Sequence, residues 1–158
     1  MQKLTILNSK EIKLIKEQLL EHFGVFFEGD YAFLQNEKNK LFMINRDLGK
    51  IDLAKLRIDK LGLYVAERNE GVLRLSREGA QRLVLEARKK KLPVKNIVEL
   101  SETEVKDYFL GQDLEKELGG VNRFVLLAYK KDILGCARYK EGKILNFLPK
   151  IHRGEVIV

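Results

Sequence analysis

The sequence predicts an α+β protein, with a small N-terminal α/β subdomain followed by a β-rich unit that contains one short helix. Helices are predicted where a capping residue precedes apolar residues at helical spacing, after Asn8, Ser76 and Ser101. Strands are predicted where short β-rich runs alternate with turn-forming residues, most clearly in the last third of the chain. The 158 residues fit one ordinary domain or two very small ones.

The N-terminal half is predicted to hold a helix, a small meander of strands, a hairpin and a second helix. Asn8 and Glu11 have the spacing of a capping box at the start of the first helix, and Gly24 is placed to end it. The predicted elements are a helix at 9–22, strands at 25–27, 31–34 and 41–45, a short helix at 47–54, strands at 61–66 and 72–75, and a helix from Ser76 to Lys89.

The pair Leu92-Pro93 is the best candidate for a boundary, because proline ends the preceding helix; it gives subdomains at 1–92 and 93–158. Beyond it, a second capping box begins at Ser101, and Gly111 breaks the helical pattern. The predicted elements are a strand at 97–98, a helix from 101 to about 109, and strands at 124–129, 133–139 and 144–148, which form a small barrel or curled sheet.

The net charge of +7 arises from 30 basic and 23 acidic side chains. Residues 1–75 hold 13 basic and 11 acidic residues, whereas 76–158 hold 17 and 12, so the excess lies mainly in the second half. Such an excess favours a polyanion partner, whose condensed counterions are released on binding. The run Lys89-Lys90-Lys91 has two equally open interpretations, termination of a helix and contact with phosphates.

Several classes of function are excluded by what the sequence lacks. It has no apolar run near the roughly 20 residues that span a bilayer, no tryptophan-bearing basic helix and no secretory signal, which predicts a cytoplasmic protein that binds no membrane. It has no glycine-rich phosphate loop and no nucleophile or metalloprotease motif. Cys136 is predicted to be a small buried residue, and two distant histidines suggest no zinc site. No catalytic residue, metal or cofactor is therefore predicted.

Basic and aromatic side chains gather on the last predicted hairpin and just after it. Lysine and arginine bind phosphates, and Tyr139 or Phe147 can stack on an unpaired base. The alternative is that both aromatic residues belong to the core and the lysines lie on solvent-facing turns; for Phe147 the core is preferred. The basic and aromatic residues in question are Arg138, Tyr139, Lys140, Lys143, Phe147, Lys150, His152 and Arg153.

Three strings in this half carry a family resemblance: ELSETEVKDYFLGQDL at 99–114, FVLLAYKKDILGCAR at 124–138 and GKILNFLPK at 142–150. They resemble the PUA-like RNA-binding domain at the C terminus of RNA cytosine-5 methyltransferases of the Sun/RsmF type. Leu110 and Ala137 depart from that pattern, standing where the family often has a basic residue and a second glycine. The matching residues are Tyr108 and Gly111 in "Y-x-x-G", Gly135 and Arg138 in "G-x-G-K/R", and Asn146, Pro149, Lys150 and Arg153 in "K-N-x-x-P-K-x-x-R".

The preceding stretch, 56–85, is similar to the pre-PUA segment "R-x-x-x-G-L…L-x-L-S", and both halves together look like small pre-PUA/PUA ribosome-biogenesis factors. The resemblance implies a pre-PUA-like subdomain and a PUA-like barrel that bind structured rRNA or tRNA and not DNA. It also implies no catalysis, because the chain has neither a methyltransferase core nor a cysteine pair. The implied RNA-binding residues are Tyr108, Gly111, Arg138, Tyr139, Lys143, Asn146, Lys150, His152 and Arg153.

Two alternative functions stay open. The first is a protein adaptor that recruits a separate RNA methyltransferase or a ribosome-assembly factor, with RNA contact secondary. It is suggested by the less basic N-terminal half, which has an apolar helix and a meander. The second, an enzyme that uses Cys136 or His152, is the least favoured, because no histidine near Cys136 in the sequence would activate it.

Overall fold

The computed structural model describes residues 3–45, 62–147 and 153–154. The chain forms two compact units, residues 1–94 and 95–158. The described residues contain three helices and ten strands, and the strands form two sheets of five strands, one in each unit. The predicted α+β class is therefore confirmed.

The first unit is built on an antiparallel sheet whose strands neighbour each other in chain order. Each helix buries one apolar stripe, which in the first helix consists of Ile15, Leu19 and Phe23. The elements are β1 (Leu4–Ile6), α1 (Ser9–Phe23), β2 (Tyr31–Asn36), β3 (Lys40–Asn45), β4 (Leu63–Asn69), β5 (Val72–Leu75) and α2 (Arg77–Lys89).

Both ends of α1 follow from the residues that flank it. The Asn8 side chain accepts a hydrogen bond of 2.9 Å from the Glu11 N–H, which satisfies one of the donors that a helix start leaves open. Gly24 has φ 79° and donates its N–H to the Leu20 carbonyl, as a left-handed residue does after a helix. The predicted first helix is confirmed, with its end one residue later than expected.

The meander prediction is partly wrong. Residues 25–27 belong to no strand; Val25 and Phe27 are buried, and the Phe26 ring lies 6.1 Å from the Phe33 ring. Their apolar character thus reflects core packing and not sheet pairing. No strand was predicted at β1, which pairs with β2. The predicted short helix at 47–54 lies outside the described residues.

An amide side chain of α1 reaches the outer edge of this sheet. Gln18 donates from Nε2 to the Gly71 carbonyl at 2.9 Å, and its Oε1 accepts the Leu73 N–H at 3.2 Å. Gly71 belongs to the tight turn of the predicted hairpin, where Glu70 and Gly71 both have positive φ. The β4–β5 hairpin is confirmed, and α1 is tied to its free edge.

The start of α2 lies directly on β4. Ser76 caps the helix by accepting the Gly79 N–H at 2.9 Å, and its hydroxyl donates to the Tyr64 carbonyl at 2.6 Å. A Cβ atom on Gly79 would lie 2.7 Å from the carbonyl carbon of Val65 and would overlap the carbonyl oxygen. Only glycine fits here, which explains why glycine occupies the third position after the cap, where a capping box would have glutamate.

The second unit is a curled half-barrel with one helix. Its strand order is β6-β8-β9-β10-β7; β6 runs parallel to β8, and the other neighbours are antiparallel. The sequence prediction missed β7, where Leu114 is buried beside exposed Glu115. The elements are β6 (Ile97–Glu99), α3 (Glu102–Phe109), β7 (Leu114–Glu115), β8 (Arg123–Tyr129), β9 (Asp132–Lys140) and β10 (Lys143–Leu145).

The predicted capping box of α3 is complete. The Ser101 N–H donates to Glu104 at 2.9 Å, and the Glu104 N–H donates to the Ser101 hydroxyl at 3.2 Å. Burial opposes ionisation of Glu104, but the Ser101 N–H and the ammonium of Lys116 outweigh it and hold the pKa of this carboxyl below its usual value. Cys136 is 8% exposed in β9, so the expectation of a small buried residue is confirmed. No helix among the described residues is long and apolar enough to cross a membrane.

We predict that Gly79→Ala destabilises the first unit by about 1–3 kcal/mol, because the added methyl group would overpack against β4. At an uncrowded helix position, alanine stabilises a protein by about 1 kcal/mol relative to glycine. A fall in the free energy of unfolding on this substitution therefore indicates the close contact, and a rise argues against it. Urea unfolding followed by circular dichroism measures the change. Gln81→Ala, at an exposed position of the same helix, is the control and should stay within about 0.5 kcal/mol of the wild type. A stabilised Gly79→Ala protein would contradict the close contact with Val65.

Candidate nucleic-acid interface

The exit of β10 is held against the turn after α3 by Asn146. Its Nδ2 donates to the carbonyls of Tyr108 at 2.7 Å and Gln112 at 2.9 Å. Its own backbone N–H donates to the Asp113 carboxylate at 2.7 Å. We call these three hydrogen bonds the Asn146 clasp. That Asn146 binds RNA stays a prediction; within the protein, this residue joins the turn after α3 to the exit of β10.

Gly111 and Arg153 meet beside this clasp. Gly111 has φ 90°, and a Cβ atom there would lie 2.7 Å from Cδ and 2.8 Å from Nε of Arg153. The Gly154 N–H donates to the Phe109 carbonyl at 2.7 Å, which holds the chain next to Arg153 in place. Gly111 therefore leaves room for the arginine side chain to lie across its backbone.

Tyr108 is a core residue of the second unit. It is 3% exposed, its ring lies edge-on to that of Phe109 at 5.3 Å, and its hydroxyl lies 3.1 Å from the position a Cβ atom of Gly135 would take. The prediction that Tyr108 contacts RNA is contradicted by this burial. Tyr108 and Gly135, from two different family motifs, instead pack against each other.

Tyr139 is fully buried, with 0% exposure. Its hydroxyl donates to the Gly119 carbonyl at 2.6 Å and accepts the Leu118 N–H at 3.0 Å. The Arg123 guanidinium lies 5.2 Å from the ring centre. The predicted stacking of Tyr139 on a base is therefore wrong, because the side chain is fully buried and its hydroxyl is bonded within the protein.

The Phe147 side chain is more exposed than the sequence predicted. The core was preferred for it, but the side chain is 37% exposed. It directly follows Asn146, and Leu110, which directly precedes Gly111, is 53% exposed. Two apolar side chains thus lie at the surface, one beside Gly111 and one beside Asn146, and Phe147 is an exposed aromatic residue that can stack on a base.

Three cations share the outer face of the last hairpin. Lys140 pairs directly with Lys143, and Arg138 pairs directly with Leu145, so alternate residues of β9 and their partners in β10 point to the same side. Tyr139 and Ile144, which lie between them, point into the core. We call Arg138, Lys140 and Lys143 the hairpin cation face.

The members of this face differ in exposure. Arg138 is half-buried, and its guanidinium lies 5.1 Å from the centre of the Phe124 ring. Lys140 and Lys143 are exposed, and Glu115 of β7 is the strand partner of Lys143 on its other side. Lys150 and His152, also predicted to bind RNA, lie outside the described residues. Within the described ranges, no group of three or more His, Cys, Asp or Glu side chains is arranged to hold a metal ion.

Residues 95–153 match the family model of the methyltransferase RsmF PUA domain. The resemblance drawn from the three strings is thereby confirmed. The matched segment contains the whole hairpin cation face and the Asn146 clasp.

Three relatives are each named ribosomal RNA small subunit methyltransferase F. The one from Vibrio cholerae serotype O1 (strain M66-2) is 24% identical over 136 residues, which are 86% of this chain and 27% of the relative. Those from Shewanella sp. (strain MR-4) and Shewanella baltica (strain OS155 / ATCC BAA-1091) are 22% identical over 145 and 149 residues, 90% and 92% of this chain, and 29% of each relative. The chain thus spans less than a third of the relatives it matches, and the matched stretch includes much of the N-terminal unit.

We predict that Asn146→Asp destabilises the second unit by about 1–3 kcal/mol, because a carboxylate oxygen would replace the donor that faces two carbonyls. Guanidinium unfolding monitored by tyrosine fluorescence measures the loss. Asn122→Asp is the matched control, because Asn122 uses its oxygen to accept the Glu141 N–H and a carboxylate keeps that role. Equal losses of stability in both variants would show that the Asn146 clasp contributes no more than the single hydrogen bond of Asn122.

Proposed function

We propose that this protein is a non-catalytic RNA-binding protein that binds structured rRNA or tRNA through its second unit, in RNA modification or ribosome biogenesis. The observation that carries the proposal is the match of residues 95–153 to the RsmF PUA domain. The relatives are named as ribosomal RNA methyltransferases, which favours rRNA over tRNA as the ligand.

The surface chemistry of the second unit supports an RNA ligand. Arg138, Lys140 and Lys143 place three positive charges on one face of the last hairpin, and such charges attract a phosphate backbone. Phe147 offers an exposed aromatic ring, which suits an unpaired base in a loop or bulge. Phosphate contacts would position the RNA, and stacking would select single-stranded features over continuous duplex. DNA is not the expected ligand.

In this proposal, the two predicted subdomains have different roles. Residues 1–92 form a pre-PUA-like subdomain, and residues 93–158 form the PUA-like RNA-binding domain. A separate RNA-modifying enzyme or ribosome-assembly factor acts on the bound RNA, and the complex is cytoplasmic. The matched family model is that of an RNA-targeting domain, which supports the absence of catalysis in this chain.

The affinity of the protein for RNA should decrease as the salt concentration rises. The logarithm of the affinity for an in vitro transcribed fragment of small-subunit rRNA should fall linearly with log salt, by about 0.7–0.9 per phosphate contacted. The double variant Lys140→Glu/Lys143→Glu should bind about tenfold or more weakly and with a shallower slope. Filter binding over a salt series measures both quantities.

Lys10→Glu/Lys13→Glu is the control for net charge, because it reverses two exposed lysines of α1 in the other unit. It should retain most of the affinity. Wild-type binding that is absent, or independent of salt, would refute the proposal. Partners that survive RNase treatment in a pull-down, with no binding of free RNA, would favour the adaptor instead.

The second prediction separates the two aromatic residues. Phe147→Ala should weaken binding to an RNA with an unpaired loop by about 1–3 kcal/mol, the usual value of one stacked base, and leave the melting temperature nearly unchanged. Tyr139→Phe should lower the stability and leave the RNA affinity unchanged. It removes the buried hydroxyl that serves Gly119 and Leu118, and it should cost about 1–3 kcal/mol of stability with the affinity retained. Calorimetric titration and thermal unfolding of both variants test the pair; an affinity loss confined to Tyr139→Phe would overturn the assignment.

A further inference from the structure

The positive charge of this protein is concentrated in the first unit. Residues 95–158 contain 11 basic and 10 acidic side chains, a net charge of +1. Residues 1–94 contain 19 and 13, a net charge of +6. The excess that the sequence places in residues 76–158 therefore falls mainly before the boundary between the units. Residues 77–91 alone hold six cations and two carboxylates, a net charge of +4.

These cations belong to α2 and the turn that ends it. The buried face of α2 packs against the sheet through residues such as Leu83, Val84 and Ala87. The opposite side is exposed at Arg82, Arg88 and Lys89, and the next residues of the chain, Lys90, Lys91 and Leu92, are exposed as well. The helix therefore presents its positive charge to solvent at its C-terminal end.

Two of these cations have no acidic partner among the residues that the structure describes. Glu86 accepts a hydrogen bond from Arg82 at 2.7 Å, and Glu28 pairs with Lys90 at 2.8 Å, so those two charges are balanced locally. For Lys89 and Lys91, the part of the chain that the structure describes provides no ion pair with a carboxylate. Their positive potential is therefore available to an external anion.

Helix termination alone does not require lysine at position 91. The last carbonyls of α2 are satisfied by backbone donors, because the Leu92 N–H donates to Ala87 at 2.9 Å and the Lys91 N–H to Arg88 at 3.1 Å. This pair of bonds defines a Schellman motif, whose left-handed residue is usually glycine. Here that residue is Lys91, with φ 57°. A lysine thus occupies a position whose backbone conformation favours glycine, and the cap itself does not need the charge of its side chain.

We infer that the C-terminal end of α2, with Lys89 and Lys91 as its unpaired cations, is a second RNA-binding surface that contacts the phosphate backbone without reading sequence. The inference rests on the proposed function, since the occupant is the same RNA. Charge complementarity selects the ligand: a net charge of +4 over fifteen residues suits a polyphosphate chain. The second unit, with a net charge of +1, would then contribute recognition more than electrostatic attraction.

The test uses the full chain and the same small-subunit rRNA fragment. Lys91→Gly is the sharpest variant, because glycine relieves the left-handed conformation and should leave the melting temperature unchanged or higher. The affinity should nevertheless fall about three- to tenfold, and the salt slope should decrease by about 0.7–0.9. Lys89→Gln combined with Lys91→Gly should roughly double the change in slope, as expected for two phosphate contacts.

Lys13→Gln is the matched control, because it removes one exposed lysine of α1. If the α2 variants bind RNA as the wild type does while Lys140→Glu/Lys143→Glu binds weakly, the inference is overturned and the proposed function stands. If the wild type binds no RNA, the proposed function itself fails. If the α2 variants lose binding to polyglutamate but keep RNA binding, the surface serves an acidic protein and the inference is wrong.

Discussion

The second unit depends on the side-chain amide of Asn146. One amide group donates to two carbonyls at the end of α3, and the backbone of the same residue donates to Asp113. These bonds join the turn after α3 to the exit of β10. The clasp brings together residues that are far apart in sequence. The exposed Phe147 directly follows Asn146 in the chain, so the position of the candidate stacking residue depends on this hydrogen-bond network.

The family motif therefore has two kinds of members. Tyr108, Gly111 and Asn146 shape the site: one fills the core, one leaves space for Arg153, and one closes the loop. Arg138 and Lys143 lie on the outer face of a strand pair, where they can meet a ligand. A motif match by itself does not distinguish these roles, since both kinds of residue are needed for the same surface. The burial and the hydrogen bonds of each residue distinguish the two roles.

Much of the fold could be predicted from local signals. Three caps, a tight hairpin and three strands of the second unit follow from spacing and turn chemistry. The failures depended on information that local patterns do not carry. Residues 25–27 look like a strand because they are apolar, but they pack as a loop; β1 and β7 are short edge strands whose partners are distant in sequence. The Tyr139 error was avoidable: strand alternation places Tyr139 opposite to Arg138 and Lys140, so all three could not share one face.

The hydrogen bonds of Gln18 also bear on how the molecule behaves among its own copies. The outer edge of β5 would otherwise present a backbone acceptor and a donor two residues apart, the pattern that another extended chain recognises. Gln18 supplies both complementary groups from a helix, as a strand of a second molecule would. Through Gln18, the first helix therefore occupies two backbone groups at this edge that a strand of a second molecule could otherwise pair with.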